Sequence, residues 1–122
     1  MSDINIFDDP NQVPQPKDQI KIETVEAQAY PDRFRVYIHI VVTAFQERPN
    51  LLAVIRDADG NAIDELNVIA TMHADMEFTR HLRGMDDPAG DYTLDVELFY
   101  ETRNPPQDTA SVALTIPIAD EA

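Results

Sequence analysis

Three groups of residues in this 122-residue chain have side chains and spacing suited to chemistry. Asp57-Ala-Asp59-Gly60-Asn61 sets carboxylates at alternate places, the oxygen-rich arrangement a hard cation such as calcium requires. Gly60 holds the fourth place rather than the sixth, however, and no Glu follows at the twelfth, so the run reads first as turn chemistry. His39, Glu77 and His81 carry zinc-ligating groups on stretches expected to become neighbouring strands. Exposed strand histidines are the plainer reading, and neither a metal nor a cofactor is expected. The third group is Arg48-Pro49-Asn50 with Arg103-Asn104-Pro105-Pro106, flanked by Phe45 and Tyr100. Arginine among prolines and aromatics is a composition that protein-binding surfaces favour.

Nucleophilic catalysis finds little to work with. The only serines are Ser2 and Ser111, and neither sits in a Gly-x-Ser-x-Gly elbow or near a histidine in sequence. There is no cysteine, no phosphate-cradling glycine loop and no His-Glu-x-x-His. The expectation is a protein that is not an enzyme. With 23 acidic and 9 basic residues the formal charge is −14, which makes nucleic acid an unsuitable partner. Residues 1–18 show no basic head and apolar run of a secretory signal, and no apolar stretch approaches the ~20 residues of a membrane helix. A soluble, cytoplasmic chain is the expectation.

The elements that must position these residues show a period of two. Residues 1–18 hold Pro10, Pro14 and Pro16 without periodicity and read as an extended or disordered arm, with Ile4, Ile6 and Phe7 as an anchor. Residues 19–122 read as one domain. Strands are expected over 19–29, over 34–43, where Phe34, Val36, Ile38, Ile40 and Val42 alternate with polar neighbours, and over 51–55, apolar on both faces. Further strands are expected over 63–70, 75–83, 92–100 and 112–116. All three glycines fall between these runs. Residues 62–83 also fit a helical stripe; two strands are preferred, although Arg80 would then point into the core.

Seven short antiparallel strands suggest a two-sheet sandwich. The segment Asp87-Pro-Ala-Gly90-Asp-Tyr92-Thr-Leu94 resembles the tyrosine corner of immunoglobulin-like and fibronectin type III-like domains. The resemblance implies a seven-stranded antiparallel immunoglobulin-like sandwich, and a Tyr92 hydroxyl bonded to the backbone just upstream. The chain departs from those families in lacking tryptophan and a cysteine pair.

In such a sandwich the loops divide between two ends. One end gathers Tyr30–Arg33, Asp57–Ala62 and Gly84–Asp91, with Asp32, Asp57, Asp59, Asp86, Asp87 and Asp91. The other gathers Ala44–Asn50, Thr71–Ala74 and Glu101–Thr109, presenting Arg48 and Arg103 together. The expected function is a protein–protein interaction module that binds through Arg48, Pro49, Arg103, Pro105 and Pro106, or through an apolar outer sheet face that includes Phe99. The same face would serve an oligomeric assembly subunit built from copies of the chain. A third reading, an acidic mimic of nucleic acid that occupies a basic protein, needs acid spread over one face.

Overall fold

A computed structural model describes residues 13–119. Seven strands account for the regular structure: β1 (Ile22–Ala29), β2 (Arg35–Val42), β3 (Asn50–Arg56), β4 (Ala62–Val68), β5 (Asp75–His81), β6 (Gly90–Phe99) and β7 (Asp108–Ile116). Every pairing is antiparallel. One sheet has the order β1-β2-β5, the other β4-β3-β6-β7. The chain is an all-β, two-sheet sandwich. No helix among the described residues is long and apolar enough to cross a membrane.

Alternation decides which face of each strand is buried. On β2, Val36, Ile38, Ile40 and Val42 are sealed from solvent, and the residues between them face outward. They meet Leu51, Ala53 and Ile55 of β3 and Leu94, Val96 and Leu98 of β6 in one core cluster. β-Branched side chains suit a pleated surface of this kind, where χ1 is already restricted. β3 lies between β4 and β6 and is buried on both faces, which is why its sequence does not alternate.

Turn chemistry closes the hairpins. Asp57 accepts backbone N–H bonds from Asp59 (3.0 Å) and Asn61 (2.9 Å) on Oδ1, and Gly60 takes φ +89°. A left-handed residue is costly for any side chain with a Cβ, so glycine is the natural occupant there. At the start of β6 the buried Tyr92 hydroxyl donates to the Pro88 carbonyl at 2.6 Å, the upstream backbone bond expected of the corner.

Residues 62–83 form two strands rather than a helix, and Arg80 does point inward. It stands opposite Val36 in register, while Asp64 on β4 stands opposite Ile55. The two side chains meet between the sheets: Arg80 Nε and Nη2 donate to the two Asp64 carboxylate oxygens at 2.7 and 3.0 Å. Nη2 also donates to the Glu65 carbonyl at 3.3 Å. A bidentate pair thus closes the side of the sandwich where β4 and β5 lie, and the Asp64 bonds hold the Arg80 guanidinium above its ordinary pKa.

Removing one partner leaves the other charge half-buried and unpaired, which costs more than removing both. Asp64→Asn is expected to lower stability by about 1–3 kcal/mol in urea unfolding, and the double variant Asp64→Leu/Arg80→Met by less.

Candidate functional site

The loop end opposite Gly60 is built from residues 13–20, 43–49, 69–74 and 100–107. Residues 13–20 are the first, and they are docked rather than detached. Gln15 makes a parallel bridge to Phe45, donating to the Ala44 carbonyl and accepting from the Gln46 N–H, both at 2.9 Å. A single 3-10 turn (Lys17–Gln19) follows, and Ile20 is buried. Gln107 Nε2 donates to the Lys17 and Ile20 carbonyls at 2.8 and 2.7 Å, and Lys17 Nζ reaches Glu101 at 2.8 Å. The expected boundary at residue 18 falls within this 3-10 turn. The anchor expected at Ile4, Ile6 and Phe7 lies outside the described residues.

The second and third segments, residues 43–49 and 69–74, clamp each other. Asn50 is the hub: its Nδ2 donates to the Tyr100 carbonyl (2.9 Å), and its Oδ1 accepts the Ala70 N–H (2.8 Å). Thr71 N–H donates to the Pro49 carbonyl at 2.9 Å. The buried Thr71 hydroxyl donates toward the His73 carbonyl at 3.0 Å and lies 3.2 Å from the Met76 sulfur. The Tyr100 hydroxyl donates to the Glu47 carbonyl at 2.9 Å, and burial pushes its pKa up to about 12. Within this frame Ala70 takes φ +49°. The turn ejects Ile69 and Met72, which are 71 % and 65 % exposed. Arg48 is exposed on the adjoining segment.

Several expected site residues stand elsewhere. Pro49 is fully buried, and its carbonyl accepts the Thr71 N–H of the 69–74 loop. Arg103 Nε donates to Glu97 at 2.8 Å, and its side chain lies over the outer face of the four-stranded sheet with Leu52 and Val54. Pro105 is exposed and Pro106 half-buried on the β6–β7 loop. Phe99 is half-buried at the end of β6, opposite Asn50.

The outer face of that sheet is not bare. Leu52 and Val54 point out from β3 yet are only 6 % and 5 % exposed. Arg56 bonded to Asp95 (2.9 Å), Ser111 bonded to Asp95 (2.6 Å) and the Arg103–Glu97 pair stand around them. These side chains line a shallow cavity of about 310 Å3 that carries both charge signs. The Ser111 hydroxyl is thus spent on a carboxylate.

At the Gly60 end the acid is largely engaged. Arg33, itself at φ +70°, donates from both terminal nitrogens to Asp87 at 3.1 and 3.2 Å, and Asp32 pairs with Arg35 at 2.7 Å. The Asn61 and Asp59 backbone bonds hold the Asp57 carboxyl below its ordinary pKa and leave it facing its own turn. Among the described residues no group of three or more His, Asp or Glu side chains is arranged to hold a metal ion. His39 is bound on both ring nitrogens, to Glu26 on β1 (2.9 Å) and Asp75 on β5 (2.7 Å), with Glu77 opposite it in register. His81 stands opposite Arg35 instead, four residues away from His39 along β2.

No family model matches the chain, and no curated protein does. Solved structures resemble it in fold. They include a Bifidobacterium dentium β-glucuronidase complexed with coumarin-3-O-glucuronide (TM-score 0.56, 14 % identity, 80 % of this chain and 18 % of that one). A Parabacteroides merdae β-glucuronidase gives TM-score 0.54 at 9 % identity, over 80 % of this chain and 14 % of that one. A glycosyl hydrolase family 2 member from Bacteroides cellulosilyticus gives 0.51 at 14 % identity, over 80 % and 15 %. The chain spans less than a fifth of the length of these structures, and the likeness is one of β-sandwich architecture.

The two carboxylates raise the His39 pKa above its ordinary value of 6.5, chiefly through the Glu26 bond and then the Asp75 bond. A raised folded-state value means that the stabilisation is complete below about pH 6.5 and fades as pH rises through the folded value. The stability difference between the natural chain and His39→Gln in urea is expected to be largest below about pH 6.5 and to shrink as pH rises through the folded-state value. A difference that grows with pH would contradict the assignment.

Proposed function

We propose that the chain is a non-enzymatic interaction module, an immunoglobulin-like or fibronectin type III-like sandwich that docks a protein partner through its Asn50-centred loop end. The observation that carries this reading is the exposure of Ile69 and Met72 on a loop whose backbone is fixed by Asn50 and Pro49. Large apolar groups on a rigid mount lose little entropy on binding, and loops held by a scaffold are where such contacts concentrate. Arg48 beside them supplies a charged rim. The cysteine-free composition suits a reducing cytoplasm.

Mimicry of nucleic acid finds less support. Asp32, Asp64, Asp87, Asp95 and Glu97 each face an arginine of the same chain, so they do not present free phosphate-like charge. The resemblance to glycosidase chains carries no sugar chemistry here, since it rests on fold at low identity.

The test uses the natural chain, Ile69→Asp, Met72→Asp and a control, Ile118→Asp, on a residue that is 74 % exposed after β7. Each is immobilised and challenged with host lysate. Proteins retained by the natural chain and the control, but reduced at least about tenfold by both loop variants, are the expected result. Equal retention by all four would overturn the reading.

A further inference from the structure

The sandwich has four edge strands, and three of them are blunted. β1 carries Glu23 and Glu26 and an irregular register between Ile22 and Thr24. β4 carries Asp64 and Glu65 and a register shift against Ile55–Arg56. β5 carries Asp75, Glu77 and the inward-pointing Arg80. Charges, bulges and inward charges are the devices by which sheet edges avoid pairing with other chains.

β7 has none of them after its first residue. From Thr109 to Ile116 it reads Thr-Ala-Ser-Val-Ala-Leu-Thr-Ile, with no charge, proline or glycine. Its register to β6 runs unbroken from Gly90↔Ile116 to Leu98↔Asp108. No strand pairs with its other side among the described residues. β1 runs alongside in the other sheet, pinned at one end where the Ile22 N–H donates to Asp108 at 2.8 Å. Between them lies a groove of about 410 Å3, lined by Glu26, Ala27, Gln28, Tyr37, Val112 and Ala113. Glu26, the one carboxylate in that lining, is bonded to His39.

The geometry points to β7 as a self-association edge that pairs antiparallel with β7 of a second copy, joining two four-stranded sheets into one. Self-complementarity selects the second copy. About a two-fold axis at Val112 the strand sets Asp108 opposite Ile116, Thr109 opposite Thr115, Ala110 opposite Leu114 and Ser111 opposite Ala113. No like charges meet, and the Thr–Thr pairs suit a cross-strand position. In a chain of formal charge −14, β7 is the described edge strand whose own residues set no carboxylate against a carboxylate in such a pair. The surface is separate from the Asn50 loop end and does not depend on it.

The chain has no cysteine, so single substitutions read out the pairing directly. Opposed residues in an antiparallel pair have Cα atoms about 4.5–5.5 Å apart, within disulfide range. The full chain is expected to sediment as a dimer, and Val112→Cys to give a disulfide-linked dimer under mild oxidation. Asn67→Cys, on the β4 edge, is expected to stay uncrosslinked. Ala113→Lys, on the exposed face of β7, is expected to weaken dimerisation by at least about tenfold. A monomer at all concentrations, or a dimer indifferent to Ala113→Lys, would overturn the proposal. So would a monomer with β7 amides protected from hydrogen exchange, which would assign the edge to a segment of the same chain.

Discussion

The structure depends on one burial event, the packing of β2 against β3 and β6. Val36, Ile38, Ile40 and Val42 have no other place to hide, and the residues that cover them come from strands far apart in sequence. Neither sheet can keep its inner face dry alone, so each stabilises the other. Every remaining feature is an accommodation to that contact. The hairpins return strands to it, Tyr92 pins the crossover into β6, and Arg80 with Asp64 closes its one charged flank.

The acid excess is ordered by the same frame. The expected separation of acid at one end and arginine at the other does not survive as a simple polarity. Arg33, Arg35, Arg56, Arg80 and Arg103 each find a carboxylate of the chain, three of them on strands or loops distant in sequence. Asp57 is turned inward on its own loop, and Glu26 and Asp75 converge on His39. Much of the formal charge is therefore structural. Surface pairs of this kind add little stability one by one, but they fix side chains in place. The Asn50 loop end differs in kind: there backbone groups are fixed, and Ile69 and Met72 are presented outward beside the exposed Arg48.

The fold was legible because alternation and turn chemistry are local properties. The β2 pattern, the Asp57–Asn61 turn and the Tyr92 corner can each be read from a few consecutive residues. Even the inward Arg80 was visible as a break in alternation, although its partner was not. The site was less legible, because it is made by contacts between segments. Pro49 reads in sequence as a loop residue suited to binding, yet it is fully buried, with its carbonyl bonded to the 69–74 loop. In sequence the expected strand runs on to Ala70. The strand ends at Val68 because Asn50 draws Ala70 into a left-handed conformation, and no residue type near Ala70 announces this. Arg103 was assigned to a loop end, and its reach back to Glu97 depends on a side chain long enough to leave its own segment.

Docking through Ile69 and Met72 requires the loop end to be a rigid mount rather than a mobile turn. Residue-resolved hydrogen exchange on the natural chain tests this directly. The Ala70 and Thr71 amides, bonded to Asn50 Oδ1 and the Pro49 carbonyl, should exchange slowly, opening with the sandwich core rather than before it. Exchange of these two amides at the rate of an open loop, while β3 and β6 remain protected, would contradict it.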